Sequence, residues 1–354
     1  MGGSIPFFRT SDVGRVHLGE LADAEDRLNE VGAKGMRLHP AGTVLMPKSG
    51  ASTFTDHRVI TTTPGYVSSH LATIKANGKT AVDRYLYYAL QTISARAVAG
   101  DSSYPTLSLA QLKAIRVPAA PLHEQLHIVA ILDGAYAAIE VANHAATASL
   151  AASNDLLKTG VSALLASPGA NLREATLGEL CEIYQPKTIS TADMDEAAEY
   201  PVFGANGQIG RYQAYNHEEP QLLVTCRGAT CGRINVSLPQ SWITGNAMVV
   251  RPRTPELSLR FLRRLLEYGF DFRPVITGSA QPQITRQSLA PSLIAFPPQI
   301  EEQERLADAI EELVAATRTY QALLDRRLAL LAELKQSLLA RAFAGELTRE
   351  SRAA

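Results

Sequence analysis

Two stretches of this 354-residue chain gather side chains suited to contacting a polar polymer. TCRGATCGR (225–233) sets Thr225, Arg227, Thr230 and Arg233 around Gly228 and Gly232. An arginine can donate two hydrogen bonds to a guanine edge, and glycines let backbone approach a phosphate. FGANGQIGR (203–211) offers Asn206, Gln208 and Arg211, and carboxamides suit an adenine edge. GSAQPQ (278–283) adds Ser279, Gln281 and Gln283. The first half of the chain carries Lys48, Ser49 and Ser52, then Ser102, Ser103 and Tyr104, with Arg9, Thr10 and Ser11 near the start. The chemistry these residues fit is contact with phosphates and base edges. The chain has no H-E-x-x-H, G-x-S-x-G or P-loop pattern and no Asn/Asp-Pro-Pro-aromatic motif of an amino-methyltransferase. The acids Asp12, Asp56 and Asp271 have no metal-site spacing. RFLRRLLEY, with Arg260, Arg263 and Arg264, reads as a solvated helix face in preference to a phosphate-facing one.

The formal net charge is −1, so binding of DNA requires positive charge gathered on one face. Hydrophobic residues are 46% and charged residues 19%, ordinary for a soluble globular protein. No uninterrupted apolar run approaches the ~20 residues of a membrane span, and the N-terminus has no signal-peptide pattern, so a cytoplasmic place and no membrane partner are expected. Three cysteines, Cys181, Cys226 and Cys231, are too few and odd in number for a disulfide framework. With only Cys181 and His217 near CRGATC, buried inert thiols are a better reading than zinc.

These loops sit in a duplicated frame. The junction IRVPAAPLHEQLHIVAILDGAY (115–136) has a cousin in LIAFPPQIEEQERLADAIEEL (293–313), and their glutamines, Gln125 and Gln303, are 178 residues apart. Gly50 and Gly228, in LMPKSGAS and VTCRGATC, keep the same interval. Between these markers each half carries a short helix candidate (DRYLYYALQT, LRFLRRLLEY) and a Gly-led polar loop (GDSSYPTLS, GSAQPQITR). GTVLMPKS, VITTTP and LATIKAN read as strands in the first unit, and QLLVTCR, RINVSL and AMVVRP in the second. After each junction, apolar residues alternate steps of three and four. The first series is Val129, Leu132, Tyr136, Ile139, Asn143, Ala146, Leu150, Ser153, Leu157, Gly160 and Leu164. The second is Leu306, Ile310, Leu313, Thr317, Tyr320, Leu324, Arg327, Leu331, Leu334 and Leu338. That spacing marks a coiled-coil seam. Each helix is about 40 residues, roughly 60 Å, and an antiparallel pair is the simplest way to bury both seams. Asn143, Ser153, Thr317 and Arg327 interrupt the seam and are candidates to fix its register. Glu124, Gln125, Glu302 and Gln303 stand at the helix starts, where charge–dipole and capping roles are the favoured reading and contact with a partner protein the alternative.

The chain also resembles the specificity subunit of type I restriction–modification systems, the HsdS family. The resemblance rests on LLAELKQSLLARAFAGEL (330–347), on the Pro297, Pro298, Glu302, Gln303 junction with its weaker copy at Pro118, Pro121, Glu124 and Gln125, and on TLGELCEI (176–183). GGSIPFFRTSDV (2–13) is similar to a segment some way inside such a domain. The resemblance covers nearly the whole chain. It implies an α+β fold: two mixed α/β target-recognition domains separated by two long helices pairing as an antiparallel coiled coil. The expected boundaries are residues 1–120 (first domain, N-terminally shortened), 121–167 (first spacer helix), 168–298 (second domain), 299–347 (second spacer helix) and 348–354 (tail).

The same resemblance implies a non-catalytic subunit that reads a bipartite double-stranded DNA target. Its helices set the gap between half-sites and dock two methyltransferase subunits, with restriction/translocase subunits added. S-adenosylmethionine is expected on the methyltransferase, with no cofactor or metal in this chain. The alternatives are the specificity subunit of another modification-type defence system and an inactive coiled-coil adaptor. One departure bears on the first unit. Shifted back by 178, the counterpart of Leu177 falls ahead of Met1, so the first unit lacks the opening strand of the second. A downstream start, a truncated gene or another segment filling the place are the alternatives, and they put independent folding and DNA reading by the first unit in question.

Overall fold

The computed structural model describes residues 3–99, 106–166, 171–278 and 281–350 and divides into two compact units, residues 1–145 with 327–354 and residues 146–326.

The first unit runs β1 (Ile5–Phe8), α1 (Thr10–Val16), β2 (Leu18–Leu21), β3 (Asp26–Leu28), β4 (Val44–Pro47), β5 (Arg58–Thr61), β6 (Tyr66–Val67), β7 (Leu71–Ile74), α2 (Asp83–Gln91), α3 (Ala95–Ala99), α4 (Leu109–Ala114) and the first part of α5 (Leu122–Leu165). Its main sheet has the order β2-β5-β4-β7, with β2 parallel to β5 and the other neighbours antiparallel; β3-β1-β6 form a smaller sheet. Strands β4 and β5 are buried along their whole length because both faces of the sheet are covered. Successive side chains point to opposite faces. Val44 and Ile60 meet Tyr85, Leu86 and Tyr88 of α2, while Leu45 and Val59 meet Phe8, Val13 and Leu21.

The second unit repeats this plan. It holds the end of α5, then β8 (Arg173–Thr176), α6 (Leu177–Leu180), β9 (Cys181–Tyr184), β10 (Tyr200–Gly204), β11 (Gly207–Tyr212), β12 (Leu222–Thr225), β13 (Ile234–Val236), β14 (Trp242–Ile243), β15 (Ala247–Pro252), α7 (Leu259–Arg264), α8 (Arg286–Leu289), β16 (Leu293–Phe296) and the start of α9 (Ile300–Phe343). The remainder of α9 and α10 (Glu346–Glu350) belong to the first unit. The sheet order is β13-β12-β15-β9, beside the sheet β11-β10-β14 and the pair β16-β8. Leu222, Val224, Met248 and Val250 face Phe261 and Leu262 of α7, and Leu223 and Val249 face Phe203 and Ile243.

The two sheets differ at their edges. Strands β5, β4 and β7 correspond to β13, β12 and β15, and the strand that β9 contributes beside β15 has no counterpart beside β7 among the described residues. The fourth strand of the first sheet, β2, is instead added beyond β5, at the other edge.

In both units the long helices run antiparallel. In the first, the Tyr136 hydroxyl donates to the Lys335 carbonyl and its ring lies under the Lys335 ammonium, 4.8 Å from the centroid. In the second, Gln321 Nε2 donates to Ser153 Oγ at 2.7 Å and Asn154 Oδ1 at 3.0 Å, and Leu313 packs on Gly160. The observed face of α9 corrects the expected seam. Tyr320 and Leu334 are 46% exposed, and Arg327 is exposed too. The helix turns Ile310, Val314, Thr317, Gln321, Leu324, Leu328, Leu331, Lys335, Leu338 and Ala342 inward, so the series shifts by one residue at Tyr320, Arg327 and Leu334, while Leu313 stays half-buried against Gly160. The reason is chemical: Gln321 and Lys335 satisfy their polar ends within the seam, and a search for apolar residues passes over them. Of the four register candidates, Ser153 is buried and bonded across the pair, Thr317 bonds its own helix at the Leu313 carbonyl, Asn143 is half-buried and Arg327 is exposed.

Helix α5 is alanine-rich. By length and composition it is apolar enough to cross a membrane, with an 18-residue window of mean hydropathy 1.3. Counting uninterrupted apolar runs did not register it. Its Ile128, Leu132, Ile139, Leu157 and Val161 are buried in the protein.

Candidate nucleic-acid interface

The loop 226–233 leaves the end of β12 and is bound to the loop 277–283. Arg227 and Gln283 form an antiparallel bridge, the Gly228 N–H donates to the Pro282 carbonyl at 3.0 Å, and the Ile284 N–H to the Cys226 carbonyl at 3.0 Å. The second loop closes on itself through two Thr277–Gln283 backbone hydrogen bonds, each 2.8 Å. Gly278, at φ 84°, is needed there: a Cβ would lie 2.6 Å from the Gln281 carbonyl oxygen. The fold thus brings these two polar loops together. Arg227, Thr230, Arg233, Gln281 and Gln283 are exposed, and neither arginine side chain has a protein partner among the described residues. Two unpaired guanidinium groups beside two carboxamides suit a phosphodiester backbone and base edges.

The hairpin β10–β11 adds a third element. Its turn is held by the Ala205 carbonyl, which accepts from Thr225 Oγ1 at 2.6 Å and Asn235 Nδ2 at 2.9 Å. Asn206 at the tip and Gln208 on β11 are exposed. Two expected contacts are corrected here. Thr225 is fully buried and spends its hydroxyl on this clamp. Arg211 turns its guanidinium back onto the Ala198 and Glu199 carbonyls, closing the loop ahead of β10. Asn235, which holds the same carbonyl from 30 positions away, had no local signal in the sequence.

The first unit builds the same bridge from other residues. Ser49 pairs with Thr106, and the Leu107 N–H donates to the Lys48 carbonyl at 2.8 Å. These are the counterparts of the Arg227–Gln283 bridge and the Ile284–Cys226 bond. The Ser49 hydroxyl lies 2.8 Å from His70 Nδ1, and Ser52 bonds weakly to the Ser49 carbonyl. Lys48 is half-buried. Arg9 is exposed and pairs with Asp26 at 2.8 Å; Thr10 and Ser11 begin α1 beside it. Ser102, Ser103, Tyr104 and Ser279 lie outside the described residues.

Arg260 and Arg264 of α7 are neither a free solvated face nor directed to a ligand. Arg260 pairs with Glu304, Asp308 and Glu311 of α9, and Arg264 with Glu311 and Glu267. Arg260, with Arg264 behind it, holds the Glu311 carboxyl down to about 2. In the first unit Arg84 occupies the same place and pairs with Asp133 of α5 and with Glu20.

The glutamines of the repeated junction are also corrected. Gln125 and Gln303 are 1% and 0% exposed, so neither is available to a partner. Gln125 accepts from the Val82 N–H and donates to the Thr80 and Ala120 carbonyls; Gln303 accepts from the Ser258 N–H and donates to the Glu256 and Pro297 carbonyls. Each pins the start of a long helix to the entrance of α2 or α7. Their neighbours are turned elsewhere: Glu124 accepts from Thr348 at 2.6 Å, and Glu302 pairs with Arg305 on its own helix. The thiols are inert packing groups. Burial pushes Cys181 up to about 12 and raises Cys226 and Cys231, which donate to the Asn246 and Pro282 carbonyls.

Comparison with known proteins matches this frame. The model of the type I restriction modification DNA specificity domain matches twice, at residues 2–148 and 171–326. A chain from a structure concerned with complex assembly and conformational transition of the type I R-M system is similar over 97% of this chain and 92% of its own, at TM-score 0.79 and 19% identity. The HsdS subunit from Thermoanaerobacter tengcongensis is similar over 97% and 90%, at TM-score 0.67 and 19% identity. A comparison with curated proteins returns no match.

Proposed function

The chain belongs to the type I restriction modification DNA specificity family, with the domain present twice, and from that premise we propose that each unit reads one half of a bipartite double-stranded DNA target. It is a DNA-recognition subunit and performs no chemistry of its own. The observation that carries the bipartite reading is the bridged pair of loops. The same backbone bridge occurs in both units, with Arg227 and Gln283 in one and Ser49 and Thr106 in the other. One scaffold presenting different side chains is what reading two different half-sites requires.

In this reading the long helices separate the half-sites and provide the surface on which two methyltransferase subunits assemble, with restriction subunits joining them. S-adenosylmethionine is held by the methyltransferase, and the complex works in the cytoplasm. The test is co-expression with a type I methyltransferase subunit from the same genome, followed by a genome-wide map of N6-methyladenine. A bipartite methylated motif that disappears without this chain is the expected result. Methylation that is independent of the chain overturns the reading. Removing four residues, about one turn, from both helices is expected to shorten the gap and leave both half-sites unchanged.

A further inference from the structure

The main sheet of the second unit ends on β13, whose strand neighbour among the described residues is β12 alone. The Thr225 N–H donates to the Arg233 carbonyl and the Ser237 N–H to the Gln221 carbonyl, so Arg233, Asn235 and Ser237 turn their backbone toward β12. Alternation within an antiparallel pair leaves the N–H groups of Ile234 and Val236 facing outward. Between this edge and the end of α7 runs a trench of about 650 Å³, lined by residues 232–238 and by Arg263 and Glu267. Arg233 is exposed, and its side chain has no protein partner among the described residues. The Arg263 side chain is 39% exposed; its Nε is closed to solvent and lacks a hydrogen-bond acceptor among the described residues, with Glu267 Oε2 3.7 Å away. Glu267 is already committed elsewhere, since its carboxylate accepts from Arg264 at 2.8 Å and from the Tyr268 hydroxyl at 3.1 Å. The trench is therefore positive and carries unused donors.

The first unit closes the same edge. There β2 pairs parallel with β5, with Leu18 beside Arg58 and Glu20 beside Ile60. Shared backbone bonds fix which residues correspond. The Thr61 N–H donates to the Thr43 carbonyl as Ser237 does to Gln221, and the Val82 N–H donates to Gln125 as Ser258 does to Gln303. Arg233 thus stands where His57 stands, and Arg263 where Tyr87 stands. His57 is half-buried, its Nε2 2.9 Å from His17 Nδ1, and Tyr87 is 4% exposed. Where a strand covers the edge, these positions hold an imidazole and a phenol. Where the edge is open, they hold two guanidinium groups.

We propose that this trench grips one strand of the DNA backbone independently of sequence, with Arg233 and Arg263 each on a phosphate and the Ile234 and Val236 N–H groups turned to the same oxygens. The inference rests on DNA reading by this unit and adds to it a helix residue outside the reading loops. Continuity selects DNA over an acidic strand placed as β2 is: Gly232 and Arg233 belong both to the trench and to the loop 226–233. The second unit thereby holds a backbone grip whose place in the first is taken by β2.

The chain assembled with methyltransferase subunits is titrated with two labelled duplexes, one carrying the methylated motif and one of scrambled sequence, from about 50 to about 200 mM KCl. Arg263→Ala is expected to weaken both duplexes several-fold by the same factor and to lower the slope of log affinity against log salt by about 0.9. Adding Arg233→Ala is expected to lower it by about as much again, and the methylated motif stays unchanged. Arg263→Lys keeps the charge and is expected to hold the slope. Leu238→Glu, at an edge position 51% exposed, is expected to weaken both duplexes alike. An unchanged slope for Arg263→Ala overturns the grip and leaves half-site reading standing, whereas wild-type binding without salt dependence removes both. A changed motif makes Arg263 a base contact, and loss of methyltransferase subunits from the Leu238→Glu complex makes the edge a protein-binding strand; either overturns the proposal.

Discussion

The two units share their fixings and differ in what they present. Each holds a long helix through the same two devices, a buried glutamine with three backbone hydrogen bonds and an arginine paired with an acid one helix away, and each joins two of its loops by the same bridge. At the loop tips they diverge. The second unit turns out Arg227, Arg233, Gln281 and Gln283. The first ties Ser49 to His70 and Arg9 to Asp26. The lesson is that this architecture separates positioning from reading. Buried polar pins are costly to alter because each leaves unsatisfied partners, whereas exposed loop residues are free to vary.

The sharpest way to break the comparison is to remove the pins. Gln303→Ala strands the Ser258 N–H and two carbonyls, and Gln125→Ala does the same around Val82. Each is expected to destabilise its own unit by roughly 3 kcal/mol. Hydrogen exchange across α2 and α7 checks it: loss confined to the mutated unit supports equivalent pins, and an unchanged profile removes them from the account.

Next in size is the reading loop. Arg227→Ala is expected to weaken specific DNA binding of the assembled complex about tenfold or more and to flatten its salt dependence. Ser49→Ala, at the matching position, is expected to change it far less, because that hydroxyl already serves His70. Equal effects in a salt titration would mean that the first unit reads DNA through this loop as strongly as the second.

An acid titration sharpens the contrast further. The Glu311 carboxyl is depressed in the folded protein to about 2 from an ordinary 4.5. A depressed carboxylate stabilises the fold above its unfolded pKa, and that contribution is lost as pH falls from about 4.5 towards 2. Glu311→Gln is expected to remove this pH dependence from the second unit, as followed by hydrogen exchange or near-ultraviolet circular dichroism. The smallest effect is expected at the helix seam. Gln321→Ala loses two hydrogen bonds from a half-buried position, for about 1 kcal/mol in a denaturant titration.

Much of this was legible in the residues. The interval of 178 between Gln125 and Gln303 exposed the duplication because both copies must make the same backbone contacts. All six strands read from β-branched runs are strands, and four of them, β4, β5, β12 and β15, are the central strands of their sheets, where covering on both faces favours apolar residues. The short strands β1, β8 and β10 were not read, because runs of four or five residues interrupted by Pro6, by the charges of Arg173 and Glu174, or by Pro201 carry little local strand signal, and β2 was not expected to fill the opposite sheet edge.

Sequence alone therefore determined the repeat, the central strands, the two long helices and the polar character of the loops, because these follow from local periodicity and composition. Tertiary structure alone decided which polar residues are spent. Thr225 and Arg211 are consumed in holding a hairpin, Gln125 and Gln303 in pinning helices, and Arg260 in an ion-pair cluster, while Arg227 and Arg233 remain free of protein partners among the described residues. The physical reason is that a polar side chain is committed by whichever hydrogen-bond partner the fold brings to it. In this chain such partners lie far away along the sequence: Glu311 is 51 positions from Arg260, and Ser153 is 168 positions from Gln321.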